Sequence, residues 1–182
     1  MPFRGEKLLS FLFGLAVLPL PYLPLIFDSD RALLFRDLTN LQLPLKTEWV
    51  RAWLELGRIP HWNPFHVSGF PFLADLNYGP LYPLNLLLIP FAESLARGIF
   101  WFVVLHHILL YVGTWLIARD LRVRPGLAAA AGIAFSWGGY AMSCDSLLNM
   151  LCAQAALPFF WWLWRRALRR KWYAPELPLA GL

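Results

Sequence analysis

The sequence carries little charge for its size. Of 182 residues, 15% are Asp, Glu, Lys or Arg, against about 25% in a soluble domain. That leaves too few charges to cover the surface of a soluble globule. Acidic residues are the scarcer sign, 11 against 16 basic. The basic excess does not form a solvated face. It clusters beside apolar segments, which excludes nucleic acid as the partner and fits membrane topology. Cysteine is scarce too. Cys144 and Cys152 are too few for a disulfide framework and lack the CxxC spacing of a metal centre. Eight residues apart, they can bridge only if the chain bends between them. No internal repeat or low-complexity linker is visible. What abounds is apolar: 59% hydrophobic residues, 10 Trp and 15 Pro, with a mean hydropathy of +0.52. This excludes a disordered chain and points to an integral membrane protein of about one domain.

Four spans are expected, at about 8–27, 97–117, 126–142 and 152–168. The first run, Leu8 to Phe27, follows Arg4 and Lys7 and so resembles a signal peptide in charge. It is long enough to cross about 30 Å of hydrocarbon and ends without a cleavage site, so it reads as an uncleaved helix. Pro19, Pro21 and Pro24 are expected to bend its far half. The 126–142 segment is rich in Ala and Gly, suited to close helix packing. Ten of the 16 basic residues lie in short segments on one side of these spans. The N-terminus is therefore expected in the cytoplasm, with residues 28–96 and 143–151 outside.

The long loop 28–96 has structure signals of its own. Leu41, Leu45, Trp49, Ala52, Trp53 and Leu56 repeat at three and four, which predicts an amphipathic helix over 38–56. Gly57 is placed to end it. Three prolines in the next stretch exclude another long helix. The apolar run from Tyr82 to Pro90 is too short to span and is expected to lie in the interface or re-enter, with Tyr78 and Tyr82 at headgroup depth.

The string from Gly57 through Arg-Ile-Pro-His-Trp-Asn-Pro-Phe-His-Val-Ser-Gly-Phe-Pro-Phe-Leu-Ala to Asp75, followed by Tyr82-Pro-Leu-Asn85, resembles the bacterial YfhO-like membrane proteins. Arg36-Asp37-Leu38, Gln42-Leu-Pro44, Ala134-Phe-Ser-Trp-Gly-Gly and Ala156-Leu-Pro158 fit the same pattern, so the resemblance extends from about residue 30 to 182. It implies an all-α, polytopic protein of the GT-C glycosyltransferase class. Such a protein moves a sugar from a polyprenyl phosphate to an acceptor outside the cytoplasmic membrane. It further implies that this chain matches the N-terminal part of a longer protein, whose remaining C-terminal spans complete the site.

Sugar transfer needs a base for the acceptor hydroxyl, stabilisation of the phosphate leaving group, and a site at the bilayer surface. Asp28, Asp30 and Asp37 stand just outside the first span. The resemblance implies Asp37 as the catalytic base, and capping of the following helix is its structural role. Asp28-Ser29-Asp30 has a spacing that can hold a divalent cation or simply end a helix in water. No metal is assigned, and a cation is compatible with the sequence without being required. Asp75 matches an acidic position of the resembled motif and can orient the acceptor or pair with an arginine. Asn77 and Tyr78 can donate to sugar hydroxyls or serve as turn and interfacial anchor. His61 and His66, five apart across a proline, do not make a metal face; His61 can donate to a phosphate or sugar oxygen. Trp62 can stack on a sugar or sit in the interface, and Asn63 beside it joins the substrate-binding set. Arg58 and Arg97 can neutralise a phosphate or contact headgroups. His106 and His107, inside the second span, point about 100° apart and are expected to serve helix packing. Asp145 and Asn149 are candidates for the roof of the site. The rival class is a non-enzymatic transporter or flippase component, an assembly subunit, or an inactive fragment.

Overall fold

A computed structural model describes residues 4–28, 33, 35–64 and 68–169. They are all-helical, with no strand among them. The first apolar run is helix α1, Arg4–Val17, then a single 3₁₀ turn, Leu20–Tyr22, and a short α2, Leu23–Phe27. The break follows from the prolines, which cannot donate to the helical ladder. Helix α3, Leu43–Leu56, continues from a π-helical turn at Leu38–Gln42. It ends at Gly57, which adopts φ 62°, ψ 21° and donates its N–H to the Trp53 carbonyl, the left-handed cap that glycine favours. Short 3₁₀ turns at Phe72–Ala74 and Leu76–Tyr78 lead into a 3₁₀ run, Pro83–Ser94, kinked at Phe91 just after Pro90. Helices α4, Leu95–Asp120, α5, Pro125–Ser136, α6, Gly139–Ser143, and α7, Leu148–Arg169, complete the described chain.

Two stretches are long and apolar enough to cross a membrane, Gly5–Phe27 and Pro83–Asp120. The segment 126–142, expected as one span, is two separate helices, α5 and α6, parted at Trp137 and Gly138. The 12 residues of α5 rise only about 18 Å, short of a hydrocarbon core. The break sits level with the one in the first run, where the Trp137 indole N–H donates to the Leu18 carbonyl at 3.4 Å. The 22-residue α7 is long enough, but its polar face carries Gln154, Arg165 and Arg166.

Helix α4 is the centre of the packing, touching α1, α3, α5, α7 and the 83–94 run. Close approach depends on small residues. The buried Tyr111 ring fills the space beside Gly132 of α5 and Gly14 of α1. A Cβ at Gly132 would lie 2.6 Å from that ring, and one at Gly14 would lie 2.1 Å from its hydroxyl. The Tyr111 hydroxyl donates to the Phe11 carbonyl at 3.0 Å.

The contacts also give the helix directions. Phe11 meets Tyr111 and Trp115, whereas Tyr22 meets Phe100 and His107, so the first run is antiparallel to α4. Gly113 faces Pro158 and Asp120 pairs with Arg165 at 3.1 Å, so α7 is parallel to it. Lys7, Arg119, Arg122, Arg124, Arg165 and Arg166 therefore gather at one end of the bundle. The 35–94 assembly packs at the other.

Candidate functional site

The assembly at the end away from the basic clusters is built on the buried face of α3. That face presents Gln42, Lys46 and Trp49, each 5% exposed or less. The Lys46 ammonium donates to the Tyr78 carbonyl at 2.9 Å and to Asn85 Oδ1 at 2.8 Å. Asn85 Nδ2 donates to the Gly79 carbonyl at 2.8 Å, and the Trp49 indole donates to the Pro80 carbonyl at 2.9 Å. Three side chains thus satisfy consecutive carbonyls of one tight turn, where Gly79 takes a left-handed φ of 51°. Buried polar groups of this kind must find partners, because leaving them unmade costs more than the bond returns.

The same elements wall a cleft of about 250 Å³ against α7. Gln42, Lys46, Asn77, Tyr82, Asn149 and Cys152 face into it, above an apolar wall that includes Ala153 and Ala156. Asn149 Nδ2 stands 3.5 Å from Asn77 Oδ1 across the mouth. No carboxylate pairs with Lys46 among the described residues. Burial pulls its ammonium down to about 8, with only a smaller opposing pull from Cys152, because desolvation disfavours the charged form.

Below the cleft, the two adjacent histidines of α4 have separate partners. His106 Nδ1 lies 2.6 Å from the Phe102 carbonyl and its Nε2 lies 2.8 Å from the Tyr82 hydroxyl. The carbonyl only accepts, so Nδ1 carries the proton, Nε2 receives the tyrosine O–H, and the ring is neutral. His107 Nδ1 faces the Ser136 carbonyl at 2.9 Å, and Nε2 faces Asp145 Oδ1 at 2.7 Å. Tyr22 donates to Asp145 Oδ2 at 2.9 Å. Each ring nitrogen of His107 meets an acceptor. Both histidines tie α4 to its neighbours, the packing role expected for them.

The expected site residues divide. Asn77 and Tyr78 line the cleft, with the Tyr78 ring packed against Phe70 and Phe72. Asp75 lies elsewhere, in a shallow hollow with Phe70, Pro71 and Ala74. Its carboxylate accepts the Asn77 backbone N–H at 2.8 Å, which shapes the turn. Asp37 is exposed at the start of the π-helical turn, and no capping bond from its side chain forms, so the capping role expected of it is not seen. Asp28 follows α2, half-buried, and Asp30 lies outside the described residues, as does His66. Arg58, His61 and Trp62 are exposed and away from the cleft. Asn63 is buried and pairs backbone to backbone with Phe70, at 2.9 and 3.0 Å. Gly69 takes a φ of 102°, and a Cβ there would lie 2.8 Å from the Trp62 ring.

Two expectations are corrected. Arg97 is no phosphate ligand: its guanidinium donates to the carbonyls of Leu25 and Ile26 and lies over Phe100. The end of α2 leaves those carbonyls without helical partners, and Arg97 supplies them. Asp145 does not roof the site, because the buried His107 holds it inside the bundle. Cys144 and Cys152 are both free thiols. Among the described residues no group of three or more metal-ligating side chains occurs.

Lys46, Asn85 and Gln42 were not among the expected site residues. A signal was present: Gln42 and Lys46 are four apart and border the apolar stripe of α3, a place where a helix rarely spends a charge. No family model, no curated protein and no solved structure matches the chain.

Proposed function

We propose that the chain is the N-terminal part of a YfhO-like, GT-C-type membrane glycosyltransferase, moving a sugar from a polyprenyl phosphate to an acceptor outside the bacterial cytoplasmic membrane. In this reading the first run, residues 97–117, α5 with α6, and α7 make the spans. The N-terminus is cytoplasmic and the 28–96 assembly is extracytoplasmic. One observation carries it: the basic clusters and the polar cleft stand at opposite ends of the bundle. Short basic segments stay on the cytoplasmic side, and the cleft then meets outer lipid and water together. Asp37 takes the proton of the acceptor hydroxyl, whose oxygen attacks the anomeric carbon. The bond from that carbon to the phosphate oxygen breaks, and polyprenyl phosphate leaves. In the complete protein, Asp37→Asn is expected to insert normally and lose transfer. Transfer at the wild-type rate by that variant would remove Asp37 from the role.

A second reading, a transporter or flippase component, is favoured by the His107–Asp145 pair. It sits at the midpoint of α4, and transporters place ionisable groups at that depth. Product analysis with a radiolabelled polyprenyl-phosphate sugar separates the two. A new glycosidic bond supports the enzyme; relocation of intact donor supports the transporter.

A further inference from the structure

We infer that the cleft between α3, the 77–82 turn and α7 is a binding site for the phosphate group of a membrane lipid, with the Lys46 ammonium as its counter-charge. The inference rests on the proposed reading only for the identity of the lipid as a polyprenyl phosphate.

The argument starts from an imbalance of charge. A lysine ammonium has three N–H donors. Two are used on the Tyr78 carbonyl and Asn85 Oδ1, and both acceptors are neutral. Holding the turn needs donors, which an uncharged amide also supplies; it does not need a charge. Burying an ammonium is costly unless an anion meets it, yet Lys46 is 5% exposed and no carboxylate answers it among the described residues. The cleft that Lys46 lines gives an anion access to it.

The surroundings give the class of anion. Gln42 and Asn149 add neutral amide donors beside the charge. Together with the ammonium they suit a tetrahedral group with several oxygens, and no carboxylate is among the residues that line the cleft. The other wall argues for a lipid. Ala153 and Ala156 line the cleft, and below them Leu157, Phe160 and Trp164 stand exposed along α7. A headgroup at Lys46 would lay its tail on this apolar strip, whereas free phosphate has no use for it.

Cys152 gives a direct readout, since it is a free, half-buried thiol on the cleft, while the second free thiol, Cys144, is 2% exposed. The full chain is reconstituted in phosphatidylcholine vesicles and treated with N-ethylmaleimide. A long-chain polyprenyl monophosphate in the bilayer is expected to slow Cys152 alkylation about tenfold, the scale of one charge-assisted hydrogen bond. The uncharged polyprenol is expected to have no effect. Lys46→Met is expected to lose the protection while Cys144 stays unreactive, which reports an intact core. If that variant exposes Cys144, the pH dependence of the wild-type protein decides instead. The ratio of protected to unprotected rates is expected to collapse as the pH rises past about 8, where Lys46 discharges. Equal protection by polyprenol, none by the phosphate, or protection that persists without the Lys46 charge would each overturn the inference. Full protection by inorganic phosphate alone would overturn the lipid. Protection without sugar transfer in the complete protein leaves this site standing and removes the glycosyltransferase reading; transfer without protection does the reverse.

Discussion

The two ends of the molecule are held together by different physics. Around Tyr111 the bundle is organised by shape: glycines on two helices make room for one aromatic ring, and the contact is almost wholly apolar. Around Lys46 the assembly is organised by hydrogen bonds. Lys46, Trp49 and Asn85 each satisfy a named carbonyl of a single turn. Close packing tolerates exchange among side chains of similar volume. A polar clamp does not, because each donor answers one acceptor and an orphaned partner is costly. Asn63 and Asn85 are both buried, each paired with a backbone group.

The sharpest way to break the comparison is at the His107–Asp145 pair, where hydrogen bonding enters the bundle itself. His107→Leu leaves the buried Asp145 carboxylate with the Tyr22 hydroxyl but without its histidine and is expected to cost about 3–5 kcal/mol, read as a lowered thermal unfolding midpoint in detergent. The His107→Leu, Asp145→Leu double variant is expected to recover most of that loss, since no lone charge remains. Equal losses in both would show that shape, rather than charge pairing, rules here too.

Next in size is Gly132→Val, which drives a side chain into Tyr111 and is expected to cost about 1–3 kcal/mol. Adding Tyr111→Leu should return part of it by reopening the space. The clamped end responds to pH instead. Lys46 is pulled from its ordinary 10.5 down to about 8 by burial. Between those values the unfolded chain binds more protons than the folded one, so stability is expected to rise with pH over that window. The penalty is full below pH 8 and gone above 10.5. Lys46→Met should lack this rise, and the difference between the two unfolding curves isolates it. The smallest effect is expected from Asp120→Asn. Its ion pair with Arg165 is partly exposed, and its loss should cost under about 1 kcal/mol.

Much of the local structure was legible residue by residue. Leu41, Leu45, Trp49 and Trp53 announce α3, and Gly57 ends it in the left-handed conformation. Pro19, Pro21 and Pro24 announce the break after α1. The site was legible only in part. Asn77 and Tyr78 were expected there, but Lys46 passed as one more charge on an amphipathic helix. Arg97 and Asp145 read as site residues because they are polar and on the outer side. Their partners, the Leu25 carbonyl and His107, lie 72 and 38 residues away, and no spacing rule reaches that far.

The sequence by itself determined that the described chain is helical and largely apolar, that α1 breaks before its prolines and α3 ends at Gly57, and that its basic residues collect in a few short segments. These are consequences of neighbours three or four positions apart, of proline and glycine, and of composition, all of which act within a few residues. The tertiary structure alone decided that α5 stops short of a span, that Asp145 turns inward to His107, and that a lysine without a carboxylate faces a cleft. Those outcomes depend on which faces pack, and a buried donor takes whatever acceptor the packing of distant segments brings within reach.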